Sequence, residues 1–294
     1  MKNIKRKIVL PVLTLTFFCS FSLAWSQDLD GVLKAGKLRH LGIVYANFIT
    51  GEKAGLDVEL MQNFARYLGV EYEFVETNWQ DAIKDLTGNV VVPIGEDVQI
   101  KSKGHEIKGD VLATGFTILP WRKKIVEFAD TTFPTGIWLI TSADSSMQPV
   151  KPTGNIENDI QIVKKNLKGY SVLGLEGSCL APELYEIGKY TDKIELFPAD
   201  RNLEEMIPSV MARMTDSTLM DVPVALIAME HWPGKIKVIG PVSPEQGMAP
   251  AFSKDSPKLK EQFAKFFHEF KQSGQYRKII EKYYPSLFIY YPEF

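Results

Sequence analysis

Between Leu38 and Leu86 the chain alternates two kinds of apolar spacing, and this alternation restricts the fold more than any other feature. Leu38–Val44 is a short apolar run of strand length. Leu56, Leu60, Phe64 and Leu68 then recur at helical spacing, and Gly69 stops the helix. Val70–Glu76 alternates as a half-buried strand does, and Asn78 is placed to cap a second helix over Trp79–Leu86. Strand, helix, strand, helix is the signature of a parallel sheet with crossover helices, so the expected class is α/β. At 294 residues the chain can form one large domain or two moderate ones, each with its own core.

The second half repeats the alternation. Strand-like runs fall at Gly136–Thr141, Tyr170–Leu175, Ile194–Phe197, Thr218–Met220 and Ile236–Ile239. Helices are expected at Ile156–Leu167, from Pro182 to Gly188, over Leu203–Met214 with a kink at Pro208, and over Val224–Met229. Two amphipathic helices, Pro257–Ser273 and Tyr276–Tyr283, close the sequence with a Tyr- and Phe-rich end that packs on the body. Asn89–Lys108 interrupts the pattern and reads as an inserted hairpin or excursion at the surface.

Candidate site residues sit where strands end. Asp110–Thr114 reads as a buried strand that delivers Gly115 to its carboxyl end, the edge at which open α/β sheets gather ligands. Gly115, Thr117 and Arg122 together form an anion cradle: a turn, a hydroxyl, and a planar fork of donors that matches a carboxylate. Gly177-Ser178, between a strand and the Pro182 helix, either presents amides to an anion or is a turn and cap. Asp221, at another strand end, either accepts from a cation or caps the following helix.

The amino terminus is of a different kind. Lys2, Lys5, Arg6 and Lys7 precede an apolar run from Ile8 to Trp25, with small residues at Ala24 and Ser26. This is a secretory signal peptide over residues 1–26, and the mature chain is expected in the periplasm without a membrane anchor. Its removal leaves 30 basic against 36 acidic residues, a mildly acidic balance without the basic stripe that nucleic acid requires. Cys179 is then the one remaining cysteine and is expected to be buried and structural. The four histidines, His40, His105, His231 and His268, are scattered, so no metal is expected, and no glycine pattern for a nucleotide cofactor is present.

Taken in order, several stretches make the chain resemble the family 3 extracellular solute-binding proteins, the capture components of polar amino-acid ABC importers. They are Gly55-Leu56-Asp57-Val58-Glu59-Leu60, the Gly115-to-Arg122 stretch with Phe128-Ala129-Asp130, and Leu167-Lys168-Gly169. Asp221-Val222-Pro223 and Ser273-Gly274-Gln275-Tyr276 complete the set. The resemblance implies a two-lobed (type II) periplasmic-binding-protein fold, each lobe a mostly parallel sheet with flanking helices, joined by two connecting strands. Lobe 1 would take residues 27–135 and 244–294, and lobe 2 residues 136–243. By the same resemblance Arg122 grips a ligand carboxylate, Gly115, Thr117, Gly177 and Ser178 support it, and Asp221 takes an ammonium. Tyr45 or Phe48 would flank the ligand's side chain. The implied partners are a small amino-acid-like or carboxylate ligand and an ABC permease or membrane receptor, with the chain a monomer. A sensor, or a dehydratase-like enzyme using Glu176 as acid or base, are the alternatives on the same scaffold. Tyr45-Ala46-Asn47-Phe48, Leu175 and the Asn89–Lys108 insertion depart from the usual family pattern.

Overall fold

The computed structural model describes residues 28–51, 54–198 and 205–292; the signal-peptide expectation lies outside them. Helix Leu29–Ala35 ends on Gly36 in the left-handed conformation and leads into β1 (Lys37–Gly42). Helix Leu56–Leu68 buries Leu56, Leu60, Met61 and Phe64 and ends at Gly69, after which β2 (Glu71–Glu76) lies parallel to β1 along its whole length. The next helix is shorter than its sequence pattern suggests, Ala82–Thr87 instead of Trp79–Leu86. The Asn78 side chain accepts from the Asp81 amide at 2.9 Å and makes a turn there, which delays the helix. The insertion is a hairpin of β3 (Val90–Ile94) and β4 (Asp97–Ser102). Next come β5 (Val111–Leu112), a single helical turn at Pro120–Lys123, and β6 (Val126–Phe128).

The chain then crosses through β7 (Phe133–Thr135) into β8 (Ile137–Ser142), β9 (Val172–Gly174), β10 (Ile194–Leu196), β11 (Ser217–Asp221) and β12 (Ile236–Pro241). It returns through β13 (Gln246–Met248) to β14 (Ala251–Ser253). Among the described residues the strands form two five-stranded sheets, ordered β2-β1-β5-β14-β6 and β10-β9-β11-β8-β12. The orders match position for position. In each, one strand runs antiparallel to both neighbours, and it is the strand that has just arrived from the other sheet: β14 in the first, β8 in the second. The crossing strands β7 and β13 pair with each other, Thr135 with Gln246 and Phe133 with Met248. This is the expected α/β fold of two lobes and two connecting strands.

The first lobe's outer layer is an aromatic seam. Helix Pro257–Gln272 buries Phe263, Phe266, Phe267 and Phe270, and Phe64 meets Phe263 and Phe266 at ring separations of 5.2 and 5.3 Å. Each such ring removed from water contributes about 1.5–3 kcal/mol. Tyr276, buried in the same seam, donates to the Thr132 carbonyl at 2.7 Å and ties the last helices to the crossing strand.

Two further expectations are corrected. The segment from Pro182 to Gly188 is not one helix but two short 3-10 turns, Pro182–Tyr185 and Ile187–Lys189, separated by Glu186 at φ +55°. A left-handed residue ends the i→i+4 ladder, so no aligned macrodipole points at Gly177-Ser178. The helix expected over Leu203–Met214 is Met206–Met211; Leu203 and Glu204 lie outside the described residues. Pro208 falls in its first turn, where a missing N–H breaks no helical bond.

Candidate binding site between the lobes

The carboxyl ends of β1 and β5 build one wall. Thr114 binds the chain after β1 twice, donating to the Ile43 carbonyl at 2.8 Å and accepting from its amide at 3.2 Å. His40 braces the same strands from beneath, one ring nitrogen 2.8 Å from the Tyr72 hydroxyl and the other 2.6 Å from the Ala113 carbonyl. Burial lowers its pKa to about 4, so the ring is neutral. Gly115 follows at φ +61°, and a Cβ there would stand 2.4 Å from the Phe48 ring. Its amide donates to Asp57 at 2.6 Å. Asp57's other carboxylate oxygen has no partner, and desolvation raises its pKa to about 7.

Phe48 is therefore a packing residue of this wall. Its side chain has no exposure, and its ring lies 5.1 Å from Phe133 and 5.3 Å from Tyr284. Tyr45 is the aromatic that reaches the cleft. Its hydroxyl donates to Asp221, 176 positions away in the other lobe.

Arg122 sits on the single helical turn that Pro120 begins. Thr117 bridges to Met248 of the crossing strand, which fixes the loop carrying Arg122 beside the hinge. The guanidinium donates to the Thr117 carbonyl at 2.9 Å and lies 4.0 Å above the Phe116 ring. It is 3% exposed, its Nε has no acceptor, and among the described residues it forms no ion pair. Desolvation pulls its pKa down to about 10.

The second lobe answers with the ends of β9 and β11. The Ser178 hydroxyl donates to the Leu175 carbonyl at 2.8 Å and accepts from the Leu180 amide at 2.9 Å, so it staples its own turn. Gly177 holds φ +69° at that turn. Cys179 is buried as expected, but its place is the lobe interface: its thiol interacts with Thr117 and Asp221, and burial pushes its pKa up to about 12. Tyr185 donates to the Cys179 carbonyl at 2.5 Å. Asp221 is 1% exposed; one oxygen accepts from Tyr45, the other has no partner, and desolvation raises its pKa to about 6.

Arg122 interacts electrostatically with Tyr45, Cys179 and Tyr185, and Asp221 interacts with the same three side chains. The fold thus brings Arg122, Thr117, Tyr45 and Asp221 together with Cys179 and Tyr185 between the lobes, sets Gly177 and Ser178 on the neighbouring rim with Trp79 and Trp121, packs Gly115 on Phe48, and leaves Phe48 behind the wall. Sequence reasoning missed Tyr185, Trp79 and Trp121 as neighbours of this cluster. A Pro182-initiated turn after Gly177-Ser178 was the signal available for Tyr185; an indole in an otherwise polar stretch was the signal for Trp79.

The model of the bacterial extracellular solute-binding proteins, family 3, matches residues 99–286, more than half of the chain. The chain belongs to that family. Among its relatives is the arginine-binding extracellular protein ArtP of Bacillus subtilis, 25% identical over 236 residues, covering 78% of this chain and 77% of ArtP. The membrane-bound lytic murein transglycosylase F of Desulfosudis oleivorans is 23% identical over 244 residues. That match covers 79% of this chain but only 44% of the transglycosylase, so the chain corresponds to under half of that relative. A mutant of ArgBP from T. maritima superposes with a TM-score of 0.67 at 23% identity, covering 87% of this chain and 99% of the other. That likeness supports the two-lobed fold of this family member.

Proposed function

We propose that this family 3 protein encloses a free α-amino acid between its lobes and presents it to an ABC permease in the periplasm. One observation carries the reading: a buried cation and a buried anion on opposite lobes, each with an unpaired polar atom and each interacting with Tyr45, Cys179 and Tyr185. Arg122 Nε lacks an acceptor and Asp221 Oδ1 lacks a donor. The α-carboxylate and α-ammonium of an amino acid supply one of each, and satisfying buried polar groups is worth more than the same bonds in water. In this reading Gly115 and Thr117 add contacts from the first lobe, Gly177 and Ser178 from the second, and Tyr45 keeps one Asp221 oxygen while the ammonium takes the other. The lobes run over residues 27–135 with 244–294, and 136–243, after a signal peptide at 1–26. The arginine-binding relative supports an amino-acid ligand.

A catalytic reading has less support, because Glu176, its proposed acid or base, is exposed at the rim of the cleft. The test is a thermal-shift screen of the mature protein against amino acids, their decarboxylated amines and their deaminated acids, followed by calorimetry. Amino acids should stabilise by mass action where both fragments fail. Asp221→Asn should cost the amino acid about 2–5 kcal/mol, since it removes one partner of a buried charged contact. Stabilisation by the deaminated acids equal to that by the amino acids would refute the role of Asp221.

A further inference from the structure

The inserted hairpin takes no part in the Arg122–Asp221 cluster, yet it lies along the gap between the lobes. Val91 pairs with Ile100 and Pro93 with Val98, so these four side chains share one face. On that face Val91 and Pro93 form one wall of a cavity of about 240 Å³, and residues 175–178 of the second lobe form another. At the hairpin tip, Gly95 and Glu96 border a second cavity of about 470 Å³, shared with residues 183–186 of the second lobe and with Pro244 and Gln246 at the crossing strand. Trp121 lines both cavities, and the guanidinium of its neighbour Arg122 is 5.3 Å from its ring. The hairpin therefore faces the second lobe along a line from the cleft toward the hinge.

Its ties run to the first lobe. At the base the His105 amide donates to the Gly88 carbonyl at 3.0 Å, the Lys108 amide to the Asp85 carbonyl at 2.8 Å, and the Lys108 ammonium meets Asp85 at 3.1 Å. Near the tip Asp97 meets Lys124 at 3.1 Å, just past the helical turn that carries Arg122. A two-stranded hairpin is marginal by itself, so these ties and the packing of Val91 and Val98 on the core hold it in place. Among the described residues no hydrogen bond or ion pair joins it to the second lobe. A wall fixed to one lobe and unbonded to the other obstructs the gap without drawing the lobes together.

We propose that the hairpin is a fixed lip over the gap between the lobes that slows the passage of small molecules to and from the buried cluster. Its effect is kinetic, because a wall without bonds to the second lobe changes the rates of entry and exit together. Cys179 offers a probe that needs no ligand: it is the one cysteine of a chain begun at Gln27, and it lies buried at the lobe interface. The test is the labelling rate of that thiol in the ligand-free chain with iodoacetamide, a compact reagent, and with dithiobis(nitrobenzoate), a bulky one. Wild type is compared with a chain in which Gly-Gly replaces Val90–Ser102 and with the double variant Val91→Ala, Pro93→Ala. Val90 and Ser102 are paired, so a two-residue link closes the hairpin at its base. Removing the hairpin should speed the bulky reagent about tenfold and the compact one about threefold or less, and the double variant should speed the bulky reagent about threefold. Equal acceleration of both reagents would assign the change to opening of the lobes or of the chain, and unchanged rates would show that the hairpin obstructs nothing; either overturns the lip. Should circular dichroism show that the hairpin-less chain does not fold, the double variant decides, and an unchanged rate with the bulky reagent overturns the proposal. None of these rates depends on which molecule the cluster binds, so the amino-acid reading stands or falls separately.

Discussion

Arg122 carries its charge into a place that returns little for it. It makes one hydrogen bond to a neutral carbonyl, leaves Nε unpaired, and forms no ion pair among the described residues. Stacking on Phe116 offsets about 0.5–2 kcal/mol of the desolvation. Even so its pKa falls to about 10, well below the ordinary guanidinium value. At about 1.4 kcal/mol per pH unit, that fall means the charged form is held at a cost of about 3 kcal/mol without ligand. Arg122→Met removes the charge and leaves a polarisable chain to fill the space beside Phe116 and Trp121, both of which accept thioether contacts. The ligand-free variant should therefore be more stable than wild type by about 1–3 kcal/mol, less any void left by the shorter side chain. For a chain of this size that raises Tm by about 2–8 °C. Affinity for the amino acid should fall by about 2–5 kcal/mol, because the ligand carboxylate loses its charged partner. Thermal unfolding without ligand and calorimetry with it measure the two effects separately. The opposite signs are the test. A variant that is destabilised without ligand by more than about 1 kcal/mol, or that binds as wild type does, would show that Arg122 holds the fold and not the ligand.

Gly115→Ala meets both a positive φ and the Phe48 ring at 2.4 Å, so it should lose about 2–4 kcal/mol in urea unfolding. Adding Phe48→Leu should recover the overlap but not the backbone strain; full recovery would contradict the φ argument. Stability should also bend with pH from two sides. His40, depressed to about 4, contributes stability that is present above the ordinary histidine value of 6.5 and lost as pH falls toward 4. Asp57, raised to about 7, contributes stability that is present below 3.8 and lost as pH rises through 7; Asp221, raised to about 6, adds a smaller loss of the same sign, so Asp57→Asn should lessen the slope of this limb between pH 4 and 8 and leave the Asp221 part in place.

The strand ends were legible because they are local. An apolar run followed by Gly, Ser or Asp marks the end of a buried strand, and Gly115, Gly177 and Asp221 are such residues. The hairpin was legible in part, from the short β-like run Val90-Val91-Val92 before Pro93-Ile94-Gly95, while its second strand ran into a segment that reads only as charged. Contacts between such ends were not. Tyr45 and Phe48 are both aromatics of one turn, and nothing local says which faces the cleft; the choice is made by Gly115, Phe133 and Tyr284 closing around Phe48. Cys179 read as an inert core thiol because the sequence could not place Thr117 beside it. The 3-10 turns after Pro182 escaped because the break rests on Glu186 adopting φ +55°, a conformation that a glutamate rarely selects by itself.

Across the cleft the protein uses on itself the same groups that a ligand would need. Tyr45 donates to one oxygen of Asp221 and the Cys179 thiol interacts with Thr117, while Arg122 spends one arm on the Thr117 carbonyl of its own lobe. The two contacts that cross between the lobes favour a closed pair, and a ligand shifts that balance only by the interactions it adds. What it can add is set by the two orphaned atoms, an N–H that wants an acceptor and an oxygen that wants a donor. A simple carboxylate satisfies the first and leaves the second buried and unpaired; a simple amine does the reverse. Each leaves a desolvation cost of about 1–3 kcal/mol in place. Only a molecule with both charges a short distance apart removes both costs at once. On the proposed reading, selectivity for a zwitterionic head would come less from any single strong contact than from the expense of leaving either side half answered.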